Sequence, residues 1–328
     1  VPRFGSGEAK GIIGESVRGK DIYIMVDVCN YSLTYSLSGH TNHMSPDDHF
    51  QNLKRIIAAI GGKGRRLNVI MPFLYESRQH KRSSRESLDC ALALQELVHL
   101  GVDNIITFDA HDPRVQNAIP LSGFETVRPT YQFVKGLLRT VKDLQIDSDH
   151  MMAISPDEGA TERAVYLANV LNLDMGMFYK RRDYTRIVNG RNPIVAHEFL
   201  GSSVEGKDVI ILDDMISSGD SILDVARQLK QRNAKRIYAA ATFGLFTNGM
   251  EKFDRAYEEG IINGILTTNL IYQTPELLSR PYYINCDMSK YIALMIDTLN
   301  HDGSISSILN PSARIQNVVE KYRRGEEI

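Results

Sequence analysis

The sequence predicts an α/β protein made of two mainly parallel sheets, each flanked by helices. Three observations carry that expectation. Short apolar runs alternate with helical patterns along almost the whole chain, the order that lays crossover helices over parallel strands. The runs are continuous rather than alternating, as strands buried on both faces must be, and they are too short for helices. The length of 328 residues suits two domains of ~150 residues each.

In chain order, strands are expected at 22–28, 68–71, 105–108, 151–155, 175–179, 209–212, 237–241 and 265–267. Helices are expected near 46–60, 87–100, 129–144, 161–171, 221–232 and 250–259. The polar stretch 142–150 joins two periodic segments. It divides the chain into an N-terminal domain (1–145), a C-terminal domain (146–290) and a C-terminal helix and tail (291–328).

Composition narrows the function classes. Hydrophobic content of 43% and charged content of 24% are ordinary for a globular protein. A net charge of −2 gives no reason to expect nucleic acid or an anionic membrane as partner. No apolar run approaches the ~20 residues of a membrane span. The first residues, VPRFGSGEAK, do not read as a secretory signal. They lack an initiator Met, as expected of a processed chain or of a sequence that starts inside the gene product. Cys29, Cys90 and Cys286 show no metal-type spacing and form no even disulfide set, so a cytosolic location is expected.

The chain is organised around VIILDDMISSGDSIL, residues 209–223. A buried strand ends in two acids, Asp213 and Asp214, followed by Ser217, Ser218, Gly219, Asp220 and Ser221, and then by a helix with Ile222, Val225, Ala226 and Leu229 on one face. Ligands of open α/β sheets sit beyond the carboxyl ends of strands. Small loop residues let backbone N–H groups approach a phosphate at a helix N-terminus, and paired carboxylates accept hydrogen bonds from vicinal hydroxyls. A phosphate plus a diol is a sugar phosphate. No Gly-Lys-Ser or Gly-Lys-Thr follows, so this is not a nucleoside-triphosphatase P-loop. Asp220 is the odd member, because a carboxylate ~5 Å from a phosphate charge costs on the order of 3 kcal/mol at an effective dielectric of ~20. It is therefore expected to turn away and cap the helix.

Other strand ends carry complementary chemistry. Arg78, Lys81, Arg82 and Arg85 follow the strand at 68–71, where Arg suits bidentate polyphosphate contacts. His111 and Asp112 follow the strand at 105–108. Asp157 and Glu158 follow the strand at 151–155, and an imidazole with a carboxylate could hold a Mg²⁺ that phosphates also bind. Lys180 and Arg182, two apart, share one side of an extended segment in the cation-rich stretch 179–193. Such a flap can neutralise charge that develops in phosphoryl transfer. The polar stretch 29–49 holds His40, His43 and His49, whose spacing could suit a metal or simply a solvated loop.

Taken together, F-x-x-G-E at 4–8, ESVRG at 15–19, Arg78-Gln79, DAHDPRVQ at 109–116, SPDEGATERA at 155–164, KRR at 180–182, LDD at 212–214 and SISSIL at 304–309 resemble the ribose-phosphate pyrophosphokinase family in content and in order. The resemblance implies two type I phosphoribosyltransferase-like domains with the active site between them. It implies transfer of the diphosphoryl group of ATP to the 1-hydroxyl of ribose 5-phosphate, giving 5-phosphoribosyl 1-diphosphate and AMP. Carried over by position, Phe4, Glu8, Arg78, Gln79 and His111 would bind ATP in the N-terminal domain. Asp213, Asp214 and the loop from Ser217 through Ser218, Gly219 and Asp220 to Ser221 would bind ribose 5-phosphate. His111 and Asp157 would serve Mg²⁺, and Lys180, Arg182 and His111 would act on the reacting phosphates. A homo-oligomer, hexameric or dimer-based, is also implied, and Ser16, Arg18 and residues 304–307 match the family's regulatory region.

The chain departs from the family pattern at several places. The usual Asp-Thr-Ala-Gly-Thr phosphate loop is replaced by Ser217-Ser218-Gly219-Asp220-Ser221. Gly159-Ala160 stands for Gly-Gly, residues 80–85 are one residue short, and the 310–328 tail has no family counterpart. The alternative reading is a non-catalytic homologue that binds and regulates an active synthase. A phosphoribosyltransferase that consumes the diphosphate product is a third.

Overall fold

The computed structural model describes residues 1–182 and 194–328, with side chains for 1–179 and 198–328. The chain forms two units. The first comprises Val1–Pro129, Asn269–Tyr272 and Met288–Leu309; the second comprises Thr130–Thr268, Gln273–Asp287 and Asn310–Ile328.

In the first unit, strands β1 (Asp21–Met25), β4 (Arg66–Ile70), β5 (Asn104–Phe108) and β6 (Gly123–Val127) form a parallel sheet in the order β1-β4-β5-β6. Between them lie a hairpin of β2 (Thr34–Leu37) and β3 (His40–His43), and helices α1 (Pro46–Ile60) and α2 (Asp89–His99). Helix α1 begins where expected for local reasons. Ser45 and Asp48 form a reciprocal capping box, Pro46 opens the helix, and Gly61 closes it in the left-handed region. Its buried face (Phe50, Leu53, Ile57, Ile60) joins Leu67, Val69, Leu94, Leu97 and Cys90 in one core.

The hairpin is an addition to the expected elements. Ser38 (φ 50°) and Gly39 (φ 82°) form its two-residue turn, the geometry that matches strand twist. Among the described residues, the histidines of 29–49 join no group that could hold a metal ion. The His43 ring nitrogen Nδ1 hydrogen-bonds the Tyr31 carbonyl at 2.7 Å, and the buried His49 Nε2 hydrogen-bonds the Asn30 carbonyl at 2.8 Å.

The second unit contains α3 (Thr130–Thr140), β7 (Met151–Ser155), α4 (Thr161–Leu171), β8 (Asp174–Arg182), β9 (Ile194–Leu200), β10 (Asp208–Ile216), α5 (Asp220–Gln231), β11 (Arg236–Gly244), α6 (Glu251–Glu258), β12 (Gly264–Thr268), the short α7 (Pro275–Leu278) and β13 (Tyr283–Cys286). The chain then adds α8 (Ser289–Asn300) and α9 (Ser306–Leu309) to the first unit and α10 (Ser312–Arg323) to the second. Its sheet runs β13-β12-β11-β10-β7-β8-β9, parallel except for the final β8–β9 pair. Strand β10 lies fourth of these strands and is covered on both faces. Val209 and Ile211 enter one core with α5 and α6, while Ile210 and Leu212 enter the other with α3, α4 and α10.

Two segments expected elsewhere belong to the second unit. Helix α3 lies within the expected N-terminal stretch 1–145, yet its Phe133, Val134, Leu137 and Leu138 pack with Met151, Ala153 and Leu167. The tail is a helix whose Ile315, Val318 and Val319 complete that same core. No described helix is long and apolar enough to cross a membrane.

Candidate active site

In the second unit, β10 carries its ladder through Asp213 to Ile216, so both acids leave the strand on opposite sides of the backbone. Asp214 is buried at 4% exposure and Asp213 is half-buried. The Asp214 N–H donates to Asp213 Oδ1 at 2.8 Å. Burial first, then the Asp214 carboxylate, pushes the Asp213 carboxyl well above the usual range, with Asp157 adding to the effect. The Asp213 carboxyl therefore responds to the charge of its neighbour as well as to burial. Two adjacent carboxyl groups present several hydrogen-bonding oxygens side by side, which suits a diol.

The loop beyond is tight. Gly219 adopts φ 82°, and a Cβ there would stand 2.1 Å from the Phe253 ring, so only glycine fits. It leads directly into α5, whose exposed first turn holds Asp220 and Ser221. Asp220 does turn to other partners, but it does not cap the helix. Lys252 Nζ pairs with its Oδ1 at 2.5 Å, and the Ser218 hydroxyl donates to Oδ2 at 2.9 Å. Those two contacts, Lys252 first, lower its pKa. The Ser217 carbonyl accepts from the Thr247 N–H at 3.0 Å.

Asp157 stands just past β7 and caps a short 3₁₀ turn, its Oδ1 accepting the Gly159 N–H at 3.0 Å. Its contribution to the Asp213 shift places it close enough to the acidic pair for their charges to interact. A single hard carboxylate of this kind fits Mg²⁺, which takes most of its ligands from water and substrate phosphates. Lys180 and Arg182 end β8 two residues apart. Their side chains, and the Arg186 and Arg191 segment, lie outside the described residues.

The first unit holds the other expected residues. After β4, the turn through Glu76 (φ 55°) leaves Arg78 exposed, while Gln79 Nε2 donates to the Ser87 carbonyl at 2.8 Å. After β5, Asp109 takes φ 41° while buried at 6% exposure, a backbone state that non-glycine residues seldom adopt outside functional loops. His111 follows on the surface. Asp112 caps the next 3₁₀ turn and is gripped by Arg114, whose Nε lies 2.9 Å from Oδ1. That guanidinium lowers the Asp112 pKa to about 2. At the N-terminus the Phe4 N–H donates to the Glu8 carbonyl at 2.8 Å and the Ser6 hydroxyl to the Glu8 carboxylate at 2.9 Å. This turn leaves the Phe4 ring 53% exposed.

Two residues escaped the sequence reading. His80 lies with its ring centroid 5.2 Å from that of His111 and its Nε2 3.5 Å from Asp112 Oδ2. Burial and the His111 ring lower its pKa, and its Nδ1 is buried without a hydrogen bond. Its signal was its place directly after Arg78-Gln79. Lys252 had no local signal, since only the packing of α6 brings it to the loop. Among the described residues, no group of three or more His, Cys, Asp or Glu side chains forms a ready metal cage.

Known proteins resemble this chain in sequence and in fold. Residues 1–101 match the N-terminal domain of ribose phosphate pyrophosphokinase, and residues 186–310 match the phosphoribosyl synthetase-associated domain. The ribose-phosphate pyrophosphokinases of Vibrio parahaemolyticus and Pasteurella multocida are each 28% identical to this chain, across 94% of it and 90% of their own length. The crystal structure of phosphoribosylpyrophosphate synthetase from Mycobacterium smegmatis superposes with a TM-score of 0.74 at 21% identity, covering 92% of this chain and 90% of that one. That likeness shows the fold to be type I phosphoribosyltransferase-like, as expected. Two domain matches in the order of the site segments, on relatives matched over nearly their whole length, place this chain in the ribose-phosphate pyrophosphokinase family.

Proposed function

We propose that this chain transfers the diphosphoryl group of ATP to the 1-hydroxyl of ribose 5-phosphate, producing 5-phosphoribosyl 1-diphosphate and AMP. The observation that carries the reading is the acidic pair Asp213–Asp214 set directly before a glycine-tight loop and the N-terminus of α5. A pair of that kind recognises vicinal hydroxyls, and the loop and helix end recognise a phosphate. Family membership supports the same substrate class.

In this reading the second unit binds ribose 5-phosphate: Asp213 and Asp214 hold the hydroxyls, and Ser217 to Ser221 hold the 5-phosphate. The first unit binds ATP through Phe4, Glu8, Arg78, Gln79 and His111, so the functional division follows the two units, which depart from the expected bounds 1–145 and 146–290 chiefly at α3. The 1-hydroxyl attacks the β-phosphorus in line, and charge builds on the oxygen leaving with AMP. Lys180 and Arg182 neutralise that charge, and His111 hydrogen-bonds the nucleotide phosphates. Asp157 in the second unit and His111 in the first would each serve Mg²⁺, which would supply charge neutralisation for the phosphates. The protein acts as a homo-oligomer in the cytoplasm.

The test is a coupled assay on the purified chain. AMP formed from ATP only when ribose 5-phosphate is present supports the proposal. Absence of turnover with retained binding to an active synthase would favour the non-catalytic regulatory reading. Pyrophosphate release with a free base would favour a phosphoribosyltransferase.

A further inference from the structure

Asp220 puts a carboxylate inside the loop that cradles a phosphate in the reading above. Its position is sustained by a partner from another element. Lys252 lies on α6, 32 residues further along the chain, and its Nζ meets Asp220 Oδ1 at 2.5 Å. The loop's own Ser218 hydroxyl takes the second carboxylate oxygen at 2.9 Å.

Helix α6 is fixed against the loop by its packing. Phe253, the residue after Lys252, is fully buried. Its ring lies so close to Gly219 that a Cβ there would stand 2.1 Å from the ring's Cζ. Lys252 is thus delivered to the loop by a core contact, and only its flexible end is left to adjust. Its side chain remains 48% exposed, and an ammonium has three donors.

We infer that Lys252 is a specificity-determining residue for the sugar phosphate, neutralising the Asp220 carboxylate so that the loop does not repel the 5-phosphate dianion. The inference rests on the sugar-phosphate reading of this loop. In the family pattern the loop is Asp-Thr-Ala-Gly-Thr, with a small neutral residue where Asp220 stands. Here the added carboxylate comes with an ammonium that offsets its charge. Without Lys252, the Asp220 carboxylate would repel the dianion at short range.

The experiment measures ribose 5-phosphate KM by turnover and ribose 5-phosphate binding by calorimetry, with ribose as the phosphate-free control. Lys252→Met should weaken ribose 5-phosphate tenfold or more in both readouts and leave ribose binding untouched. Lys252→Arg should keep the wild-type value within threefold. In an Asp220→Gly background, Lys252→Met should cost threefold or less, because the carboxylate it neutralised is gone. A purely structural role for Lys252 would not show that rescue.

The inference is overturned if Lys252→Met stays within threefold of wild type, or if its full loss persists in the Asp220→Gly background. A wild-type chain that binds ribose 5-phosphate but forms no AMP would overturn the enzymatic reading instead, and the calorimetric comparison would still decide the role of Lys252.

Discussion

At the end of β5, Asp112 is held as an anion by Arg114, with its pKa lowered to about 2. At the end of β10, Asp213 is pushed the other way by burial and by the neighbouring Asp214. Both are aspartates just past parallel strands, and the sequence around each reads as strand, acid, loop. What separates them is solvent and company. Asp112 shares a half-exposed turn with a guanidinium that is 78% exposed, whereas Asp213 sits against a carboxylate at 4% exposure. The first is a fixed negative charge that orients its loop beside His80 and His111. The second is a carboxyl that burial and a neighbouring acid make harder to ionise. One residue type therefore supplies two different chemistries, according to desolvation and nearest charge.

The largest expected effect tests the acidic pair as a diol binder. Asp213→Asn combined with Asp214→Asn should raise ribose 5-phosphate KM about 10²-fold, since two hydrogen bonds to charged groups at about 1.5 kcal/mol each are lost. The ATP KM should move far less. Equal changes in both constants, read by steady-state kinetics, would remove the contrast between the two strand ends.

A smaller effect concerns the metal. Asp157→Asn should raise the Mg²⁺ concentration for half-maximal activity by about tenfold, as a carboxylate ligand becomes a neutral amide. Full activity in excess EDTA would refute the assignment.

Next comes pH. Folded Asp213 holds its proton more tightly than the unfolded group, whose pKa is 3.8. Its contribution therefore favours folding at low pH and declines as pH rises from 3.8 through the raised folded value. Asp112 acts in the opposite sense: its contribution is present above 3.8 and is lost as pH falls toward about 2. Urea midpoints measured against pH should show the decline flattened in Asp213→Asn, and identical slopes in that variant and wild type would contradict the raised pKa of Asp213.

The smallest change is expected from Asp112→Asn at neutral pH. Arg114 is largely in solvent, so stability should fall by less than about 1 kcal/mol. A loss of several kcal/mol in chemical unfolding would mean that Asp112 is a structural keystone rather than a loop-orienting charge.

Helices α1 and α4 were legible to the residue, because each ends on local chemistry. Ser45, Asp48 and Pro46 start α1 and Gly61 stops it, and Asn172 closes α4 in the left-handed region. Strands β6 and β13 were missed for want of a long apolar run, as GFETV and YINC show. Strand β9 pairs antiparallel with β8 at the edge of the sheet, where no crossover pattern announces a strand. The Ser38-Gly39 turn was a readable hairpin signal that the polar content of 29–49 obscured. In the site, the acids and small residues of 213–221 stood out by local order, while His80 and Lys252 did not.

The sequence alone determined the succession of strand, acid, small-residue loop and helix at β10, and with it the substrate class expected there. Local order suffices because a backbone phosphate cradle is made of consecutive residues. Only the tertiary structure decided the upward pKa shift of Asp213, since desolvation comes from cores assembled across the whole unit. It alone gave Asp220 its partner, because Lys252 is 32 residues away and arrives on a helix fixed by Phe253. It also decided that α3 and α10 join the second unit. An amphipathic face declares that it will be buried, but the surface that buries it is chosen by packing against elements distant in the chain.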